Sequence, residues 1–288
     1  MQKLKNIIEQ AQKDHVAVGH FNISNLEGLW AIFRSAKELS LPVVIGVSEG
    51  ERDFIGIKQV RSLVTSLSEE FSYPIYLNAD HTYSFERVKE AVDAGFDSVI
   101  FDGSRLALEE NIKITKLCVD YTRSKNPDIL IEGELGYIGT SSKLLDEIPP
   151  DVSLGEKSLT DVSEADYFVK ETGVDLFSPA VGNIHGMLKN SPNPHLNINL
   201  IKSISQTVGI PLVLHGGSGI PDEDFRAAIG AGISLIHINT ELRVAYRNSL
   251  RLFLQENPEE IAPYKILKEP ILEMKKIVDR RLRLFNGK

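Results

Sequence analysis

The histidines of this sequence fall where apolar, strand-like runs end. The chain has seven histidines, and all except His15 and His195 occupy such a position. Carboxylates follow several of the same runs, and the whole group comprises His20, His81, His185, His215, His237, Asp80, Asp102 and Glu134. Imidazoles and carboxylates gathered at one edge of a fold can bind a divalent metal and carry out acid–base catalysis. The pattern therefore predicts a metal-dependent active site.

Three of these histidines are the predicted ligands. His81, His185 and His215 follow the third, sixth and seventh strand-like runs. Three imidazoles with one open coordination position are typical of a catalytic zinc site. Asp102 and Glu134 are either partners that orient the imidazoles or ligands of a second metal position, and the residues alone leave both interpretations open.

Asp80 has a separate predicted role. It directly precedes His81, and successive residues of a strand point to opposite faces. The two side chains therefore cannot both bind one ion unless the strand ends between them. We predict that Asp80 is a general acid and base beside the metal.

Eight strand-like runs alternate with segments of helical spacing along the chain. The predicted strands are residues 16–23, 42–48, 74–80, 98–102, 129–135, 176–181, 211–215 and 235–240. Eight such units without a linker predict an α/β fold, a (β/α)₈ TIM barrel, over one domain of residues 1–288. The alternative, a doubly wound sheet, would need a glycine-rich turn after the first strand, where Asn22 to Asn25 stand instead. A barrel brings all eight strand ends to one rim.

The loops after the strands also predict a phosphate site. The run that ends on His215 continues into a glycine-rich turn, whose backbone N–H groups are unobstructed. Loops after the last two strands of a barrel often bind phosphate. The substrate and phosphate contacts predicted from position are Asn22, Ser48, Gly186, Lys189, Gly216, Gly217, Ser218, Thr240 and Arg243.

A helical extension of about residues 257–288 follows the barrel. It contains an additional helix at 269–285 with a basic run, which we interpret as a solvated or subunit-facing side. The basic positions are Lys275, Lys276, Arg280, Arg281 and Arg283.

Composition narrows the classes of partner. The chain has 288 residues and a formal net charge of −8, which argues against a general nucleic-acid binder. Its one cysteine, Cys118, excludes an internal disulfide framework. The first ten residues are amphipathic and unlike a signal peptide, and no apolar run approaches the roughly 20 residues of a membrane span. We therefore predict a cytoplasmic protein with a small-molecule substrate and with neither nucleic acid nor membrane as partner.

Five motifs in combination resemble the class II, zinc-dependent fructose-bisphosphate and tagatose-bisphosphate aldolase family. The resemblance covers nearly the whole chain, from Val18 to the final helix. The motifs are Ala79–Asp80–His81, Phe101–Asp102–Gly103–Ser104, Glu132–Gly133–Glu134–Leu135–Gly136, Gly182–Asn183–Ile184–His185–Gly186 and Leu214–His215–Gly216–Gly217–Ser218–Gly219.

The resemblance implies a lyase that cleaves a phosphorylated ketose, with fructose 1,6-bisphosphate as the first expectation. The products would be dihydroxyacetone phosphate and an aldehyde such as glyceraldehyde 3-phosphate. Tagatose 1,6-bisphosphate or another ketose 1-phosphate is the alternative. The resemblance also implies a homodimer or homotetramer, and Na⁺ or K⁺ near the phosphate.

The resemblance assigns roles to particular residues. It implies Zn²⁺ at His81, His185 and His215, a second divalent position at Asp102 and Glu134, and proton transfer by Asp80. It places the dihydroxyacetone-phosphate group against Gly186, residues 216–218 and residues 237–240.

Four departures from the family concern the half of the site that selects the aldehyde. Ser141 and Ser142 replace a pair of glutamates in the loop after the fifth strand, where Asp146, Glu147 or Glu156 are candidate substitutes. His237 replaces an asparagine that contacts the substrate. Asn239 stands where aspartate favours fructose bisphosphate and alanine favours tagatose bisphosphate. Ala262–Pro263–Tyr264 replaces an Asp-Pro-Arg element whose arginine helps to hold the distal phosphate, which leaves Arg243 and Lys265 for that task.

Two other functions compete with the aldolase. Metal-dependent barrel hydrolases commonly carry a His-x-His pair on the first strand, where this chain has His20–Phe21–Asn22. A non-catalytic relative that binds metal and phosphate would be compatible with the two loop serines and with His237.

Overall fold

Eight parallel strands close into a barrel in the computed structural model, which describes residues 2–140, 142–152, 155 and 158–288. The predicted (β/α)₈ barrel is confirmed. The strands are β1 (Val18–Asn22), β2 (Val43–Val47), β3 (Ile75–Thr82), β4 (Ser98–Phe101), β5 (Leu130–Leu135), β6 (Leu144–Leu145), β7 (Leu176–Pro179), β8 (Met187–Leu188), β9 (Leu212–Leu214) and β10 (Ile233–Ile238). Around the barrel they follow the order β1-β10-β9-β7-β5-β4-β3-β2. A separate two-stranded sheet, which was not predicted, pairs β6 with β8 in the loops that follow β5 and β7.

One helix, α1, precedes β1, and helices follow each barrel strand and cover its outside. They are α1 (Leu4–Lys13), α2 (Leu26–Leu39), α3 (Glu49–Ile55), α4 (Ile57–Phe71), α5 (Phe85–Asp93), α6 (Leu108–Lys125), α7 (Val162–Thr172), α8 (Ile198–Val208), α9 (Asp222–Ala231), α10 (Thr240–Glu256), α11 (Pro263–Ile266) and α12 (Lys268–Phe285). Periodicity did not predict α3, because seven residues are too few to show it. Its start carried another signal, the capping box formed by Ser48 and Glu51.

The two ends of the barrel differ in chemistry. The amphipathic N-terminal segment forms α1, which closes the end where the strands begin. Its buried residues Leu4, Ile8 and Ala11 pack against apolar side chains from the strands, namely Val18, Val44, Tyr76, Leu130, Leu176, Val213 and Leu235. The opposite end, where the strands finish, is left to polar residues.

The last helix, α12, packs against α2, α9 and α10. The expectation of a solvated basic side is wrong for Arg281, which is buried and bonds to Glu241 and Asp222. Lys276, in contrast, is exposed and pairs with Glu273 on the same helix. Helix α12 thus fastens the segments that follow β9 and β10 to the barrel.

Within the part of the chain that the structure describes, no helix combines the length and the apolar character that crossing a membrane requires.

We expect Ile8→Ala to destabilise the fold without changing the site. Ile8 is 1% exposed at the closed end of the barrel, and such a truncation typically costs about 2–4 kcal/mol of unfolding free energy. Urea denaturation measures the change. Asn6→Ala, at an exposed position of the same helix, is the control and should unfold at nearly the wild-type urea concentration. Equal midpoints for the two variants would contradict the packing role of α1.

Candidate active site

The end of β3 is bulged, and this bulge directs two adjacent side chains into one cavity. His81 has a φ of 33°, and the pairing between β3 and β4 shifts between Ala79 and Thr82. Both Asp80 and His81 line the cavity as a result. The alternation expected from an ordinary strand therefore fails here, although the strand itself continues to Thr82.

The three histidines predicted as ligands converge. Nε2 of His81 lies 3.1 Å from Nδ1 of His215, and the ring centroids of His81 and His185 are 4.7 Å apart. One ring nitrogen of each histidine lies within 4.8 Å of the other two. With Zn–N bonds of about 2.0–2.1 Å, two nitrogens on a tetrahedral zinc are roughly 3.3 Å apart. The three rings are thus placed to share one ion.

Buried carboxylates orient two of these rings from behind. Oδ2 of Asp102 lies 2.8 Å from Nδ1 of His81, and Oε1 of Glu132 lies 2.8 Å from Nε2 of His215. Asp102 in turn accepts hydrogen bonds from the backbone and hydroxyl of Ser104. Such partners fix which nitrogen of an imidazole faces a metal. The sequence reading missed Glu132, although it lies two residues before Glu134 and so on the same face of β5.

The charges of the cluster fit a cation. Burial alone would lower the pKa of His81, but Asp80, Asp102 and Glu134 raise it to about 10. His81 therefore carries a proton that a bound cation would displace. Burial and His81 lower the pKa of His215 to about 3, which keeps that ring neutral, as a ligand must be.

The surroundings of Glu134 disfavour the charged form of its side chain. Its Oε2 is buried without a hydrogen-bond partner and lies 3.8 Å from Nδ1 of His81. Burial and the neighbouring Asp102 raise its pKa well above the usual value. His81, Asp102 and Glu134 form a second group of close ligand atoms, so both interpretations of the two carboxylates are compatible with their positions.

Within the described part of the chain, the carboxylate of Asp80 is hydrogen-bonded on one side only. Nδ2 of Asn22 donates to its Oδ2 at 2.8 Å. Nδ1 of His237 lies 3.3 Å from its Oδ1, but the two atoms do not form a hydrogen bond. Burial would raise the pKa of Asp80, but His81 and His237 hold it well below the usual range. The carboxylate is therefore ionised.

His20, which the sequence reading placed at a strand end without a role, stacks on His237. The ring centroids are 3.4 Å apart at an angle of 6°, and Gly46 makes room, since a Cβ there would lie 2.0 Å from the His20 ring. Ring nitrogens of His20 and His237 and a carboxylate oxygen of Asp80 lie within 4.8 Å of one another, a distance at which three groups can bind one metal ion. Parallel stacked rings, however, direct their in-plane lone pairs side by side rather than at one point, so we assign no metal to this pair.

A cavity of about 240 Å³ opens above these groups. Fourteen of the predicted site residues line it: Asn22, Ser48, Asp80, His81, His185, Gly186, His215, Gly216, Gly217, Ser218, His237, Asn239, Thr240 and Arg243. Glu49, Gly50, Tyr83 and Thr140, which were not among the predicted site residues, also line it, as does Ser142 of the loop after β5. Tyr83 directly follows β3, and Glu49 and Gly50 follow β2 within three residues, which was the available signal.

Lys189 is not brought to the cavity. Its ammonium pairs with Asp146, 2.8 Å away, in the exposed region around β6 and β8. Asp146 and Glu147 are exposed and do not line the cavity either. Ser141 and Glu156 lie outside the described residues.

One side of the cavity is built from glycines and a helix start. Gly216 has a φ of 65°, and a Cβ there would meet the carbonyl oxygen of Ile184 at 2.3 Å. Oγ of Ser218 accepts from the backbone N–H groups of Asn239 and Glu241 at 3.3 and 3.2 Å, which joins this turn to the start of α10. A helix N-terminus beside a glycine turn attracts an anion such as phosphate.

Arg243 stands at another edge of the cavity and is held by Glu51. Its Nη2 donates to Oε1 of Glu51 at 2.6 Å. Oε2 of the same carboxylate accepts from the backbone of Ser48 at 2.8 Å and from Asn22 at 2.9 Å. Asn22 therefore links this pair to Asp80.

The model of the class II fructose-bisphosphate aldolases matches residues 2–288. The chain belongs to this family. It is therefore an aldolase, a lyase, and the family implies a divalent metal, which the histidine cluster is able to hold.

Relatives within the family carry different names. The chain is 38% identical over 268 residues to a fructose-bisphosphate aldolase of Geobacillus stearothermophilus, covering 92% of this chain and 89% of the relative. It is 36% identical over 287 residues to a 6-phospho-5-dehydro-2-deoxy-D-gluconate aldolase of Bacillus licheniformis, covering 99% and 94%.

A solved structure agrees with the fold. The crystal structure of the YdjI aldolase from Escherichia coli K12 superposes with a TM-score of 0.82 at 29% identity, covering 98% of this chain and 96% of that one. The prediction of an aldolase, rather than a metal-dependent barrel hydrolase, is therefore confirmed at the level of the family.

We expect Glu132→Gln to weaken metal binding while the fold is retained. The amide preserves the size of the side chain but replaces the carboxylate group that faces Nε2 of His215, and loss of such a partner typically costs about 10–100-fold in metal affinity. Competition with a chelating dye measures the zinc dissociation constant. Glu90→Gln, at an exposed position of α5, should bind zinc like the wild type. Unchanged affinity in Glu132→Gln would refute the orienting role.

Proposed function

We propose that this aldolase uses one zinc ion for the reversible cleavage of a ketose phosphorylated at C1, releasing dihydroxyacetone phosphate and an aldehyde. The observation that supports this proposal most is that three imidazoles able to bind one metal ion converge beside a glycine-rich turn suited to binding an anion. Fructose 1,6-bisphosphate is the first substrate to test, because the Geobacillus relative is named a fructose-bisphosphate aldolase.

His81, His185 and His215 would hold the zinc. A three-imidazole set suits zinc in size and donor type. When bound, the metal supplies Lewis-acid stabilisation of the negative charge that develops on the ketose oxygens as the carbon–carbon bond breaks. Asp102 keeps Nε2 of His81 directed at the site, and with Glu134 it is the candidate for a second divalent position.

Asp80 would move the proton. Its ionised carboxylate accepts the proton of the C4 hydroxyl during cleavage and returns it during condensation. Asn22 bonds to one carboxylate oxygen, and His237 lies 3.3 Å from the other, which limits the orientations that Asp80 can adopt. A lysine Schiff base, the other route to aldol cleavage, needs a lysine on a strand, and the eight barrel strands carry none.

The phosphate of the dihydroxyacetone half would lie against Gly186, the turn at Gly216 to Ser218, and Thr240 at the start of α10. The backbone N–H groups there and the helix dipole favour an anion. His237 and Asn239 would contact the substrate between this phosphate and Asp80. A Na⁺ or K⁺ ion beside the phosphate, which the family resemblance implies, belongs to the same proposal.

The candidate substrates differ in the part of the molecule that becomes the aldehyde. Arg243 is the cavity arginine that could contact it, but Glu51 already neutralises its guanidinium. The Bacillus licheniformis relative is named for 6-phospho-5-dehydro-2-deoxy-D-gluconate, so this compound is the second candidate, together with tagatose 1,6-bisphosphate and unphosphorylated aldehyde halves.

Oligomerisation is also part of the proposal. Large apolar side chains at Phe54, Ile261 and Tyr264 are 80%, 86% and 77% exposed. A homodimer or homotetramer is what the family resemblance implies, and light scattering on the purified protein would distinguish the two states.

We expect a substrate panel to reveal chelator-sensitive cleavage. Fructose 1,6-bisphosphate, tagatose 1,6-bisphosphate, 6-phospho-5-dehydro-2-deoxy-D-gluconate and fructose 1-phosphate are assayed for dihydroxyacetone phosphate with a coupled dehydrogenase. Activity should vanish after chelation and return with zinc. Cleavage that survives chelation would eliminate the zinc mechanism, and a complete lack of cleavage would favour the non-catalytic relative.

We expect Asp80→Ala to bind zinc and fold like the wild type while turnover falls by at least about 10²–10⁴-fold, the usual contribution of a positioned acid–base group. Steady-state kinetics and zinc content by atomic absorption test this. Asp93→Ala, at an exposed position on α5, is the control. Normal turnover in Asp80→Ala would show that another group carries the proton.

A further inference from the structure

We propose that Arg52 is a positioning residue that holds the end of β3 in its bulged conformation, so that Asp80 and His81 face the same cavity. This inference rests on the proposed roles of those two residues. Arg52 belongs to α3 and does not line the cavity itself, so any effect on the reaction must pass through the strand.

The contacts of Arg52 all lie at the ends of β2 and β3. The side chain is 1% exposed. Its Nη1 donates to the backbone oxygens of Val47 at 2.8 Å and Asp80 at 3.1 Å. Its Nη2 donates to Oγ1 of Thr82 at 3.1 Å. One planar guanidinium thus joins the last residue of β2 to the residues on either side of His81.

The segment between these anchors needs such support. His81 adopts a left-handed φ of 33°, a conformation that a side chain with a Cβ disfavours. The strand there also departs from regular pairing with β4. A conformation of this kind persists only where the surroundings determine it, and the three hydrogen bonds from Arg52 supply that restraint from the side opposite β4.

Stability alone gives little reason for a charge at this place. Among the described residues, Arg52 takes part in no ion pair within 4 Å, and its Nε is buried without a hydrogen-bond partner. A buried cation without a counter-ion is costly to remove from water. The guanidinium is therefore best explained by the geometry that its three directed hydrogen bonds impose on β3.

The test compares Arg52→Met with Arg61→Met. Arg61 is also partly buried and bonds to a backbone oxygen and a carboxylate, but it does so between α4 and the start of β4, away from the cavity. For Arg52→Met we expect zinc affinity to fall by about 10–100-fold, as for loss of a partner that orients a ligand. At saturating zinc, kcat should fall at least about tenfold with a much smaller change in KM, since substrate-contacting residues remain.

Arg61→Met should retain the wild-type zinc affinity and kcat, whatever it does to the melting temperature. Arg52→Lys should recover part of both losses, because an ammonium can reach the acceptors but lacks the planar fork that joins all three. Zinc affinity and kcat that are unchanged in Arg52→Met, or that are lowered only in proportion to unfolded protein, would overturn the proposal.

Thr82→Val provides an independent check should Arg52→Met fail to fold. It removes one acceptor of the guanidinium, keeps the shape of the buried side chain, and should lower zinc affinity and kcat in the same direction by a smaller factor. Wild-type values in Thr82→Val would contradict the proposal. A wild-type protein that neither binds zinc nor cleaves a ketose phosphate would instead refute the proposed function, so the two failures can be told apart.

Discussion

The confinement of charge at one end of a closed barrel is the constraint on which the rest of the structure depends. Asp80, Glu132 and Glu134 are buried there together with several imidazoles, and the side chain of Asp102 is 7% exposed. An unbalanced charge in such a place is costly. Asp80, Asp102 and Glu134 favour a proton on His81, which is one way to balance their charge, and a divalent cation is another. The opposite end of the barrel is closed by apolar contacts with α1. The apolar contacts that stabilise the fold and the polar residues of the candidate site therefore lie at different ends of the same strands.

Much of this arrangement could be predicted from the sequence. The barrel followed from eight alternations of strand-like and helical segments, and the rim followed from the histidines at the strand ends. Most predicted site residues line one cavity, because parallel strands must deliver their carboxyl ends to the same side. The roles of those residues stay predictions, since position alone does not assign a proton carrier or a ligand.

The parts that could not be predicted depend on contacts between distant segments. The alternation of side chains along a strand predicted that Asp80 and His81 point to opposite faces. The bulge, which Arg52 contacts from 28 residues earlier in the chain, places both side chains in one cavity. Lys189 was predicted to contact the phosphate because it lies near His185 in the sequence. In the structure it is exposed and forms an ion pair with Asp146. Arg281 looked solvated within a basic run, yet it is buried against carboxylates from α9 and α10.

X-ray absorption at the zinc edge of the metal-loaded protein tests most directly whether three histidines share one ion. We expect one zinc per chain whose scattering fits three imidazole nitrogens at about 2.0–2.1 Å and one further light ligand. In His185→Ala one imidazole contribution should disappear. A spectrum fitted by oxygen ligands without imidazole, or a spectrum that His185→Ala leaves unchanged, would contradict the shared site.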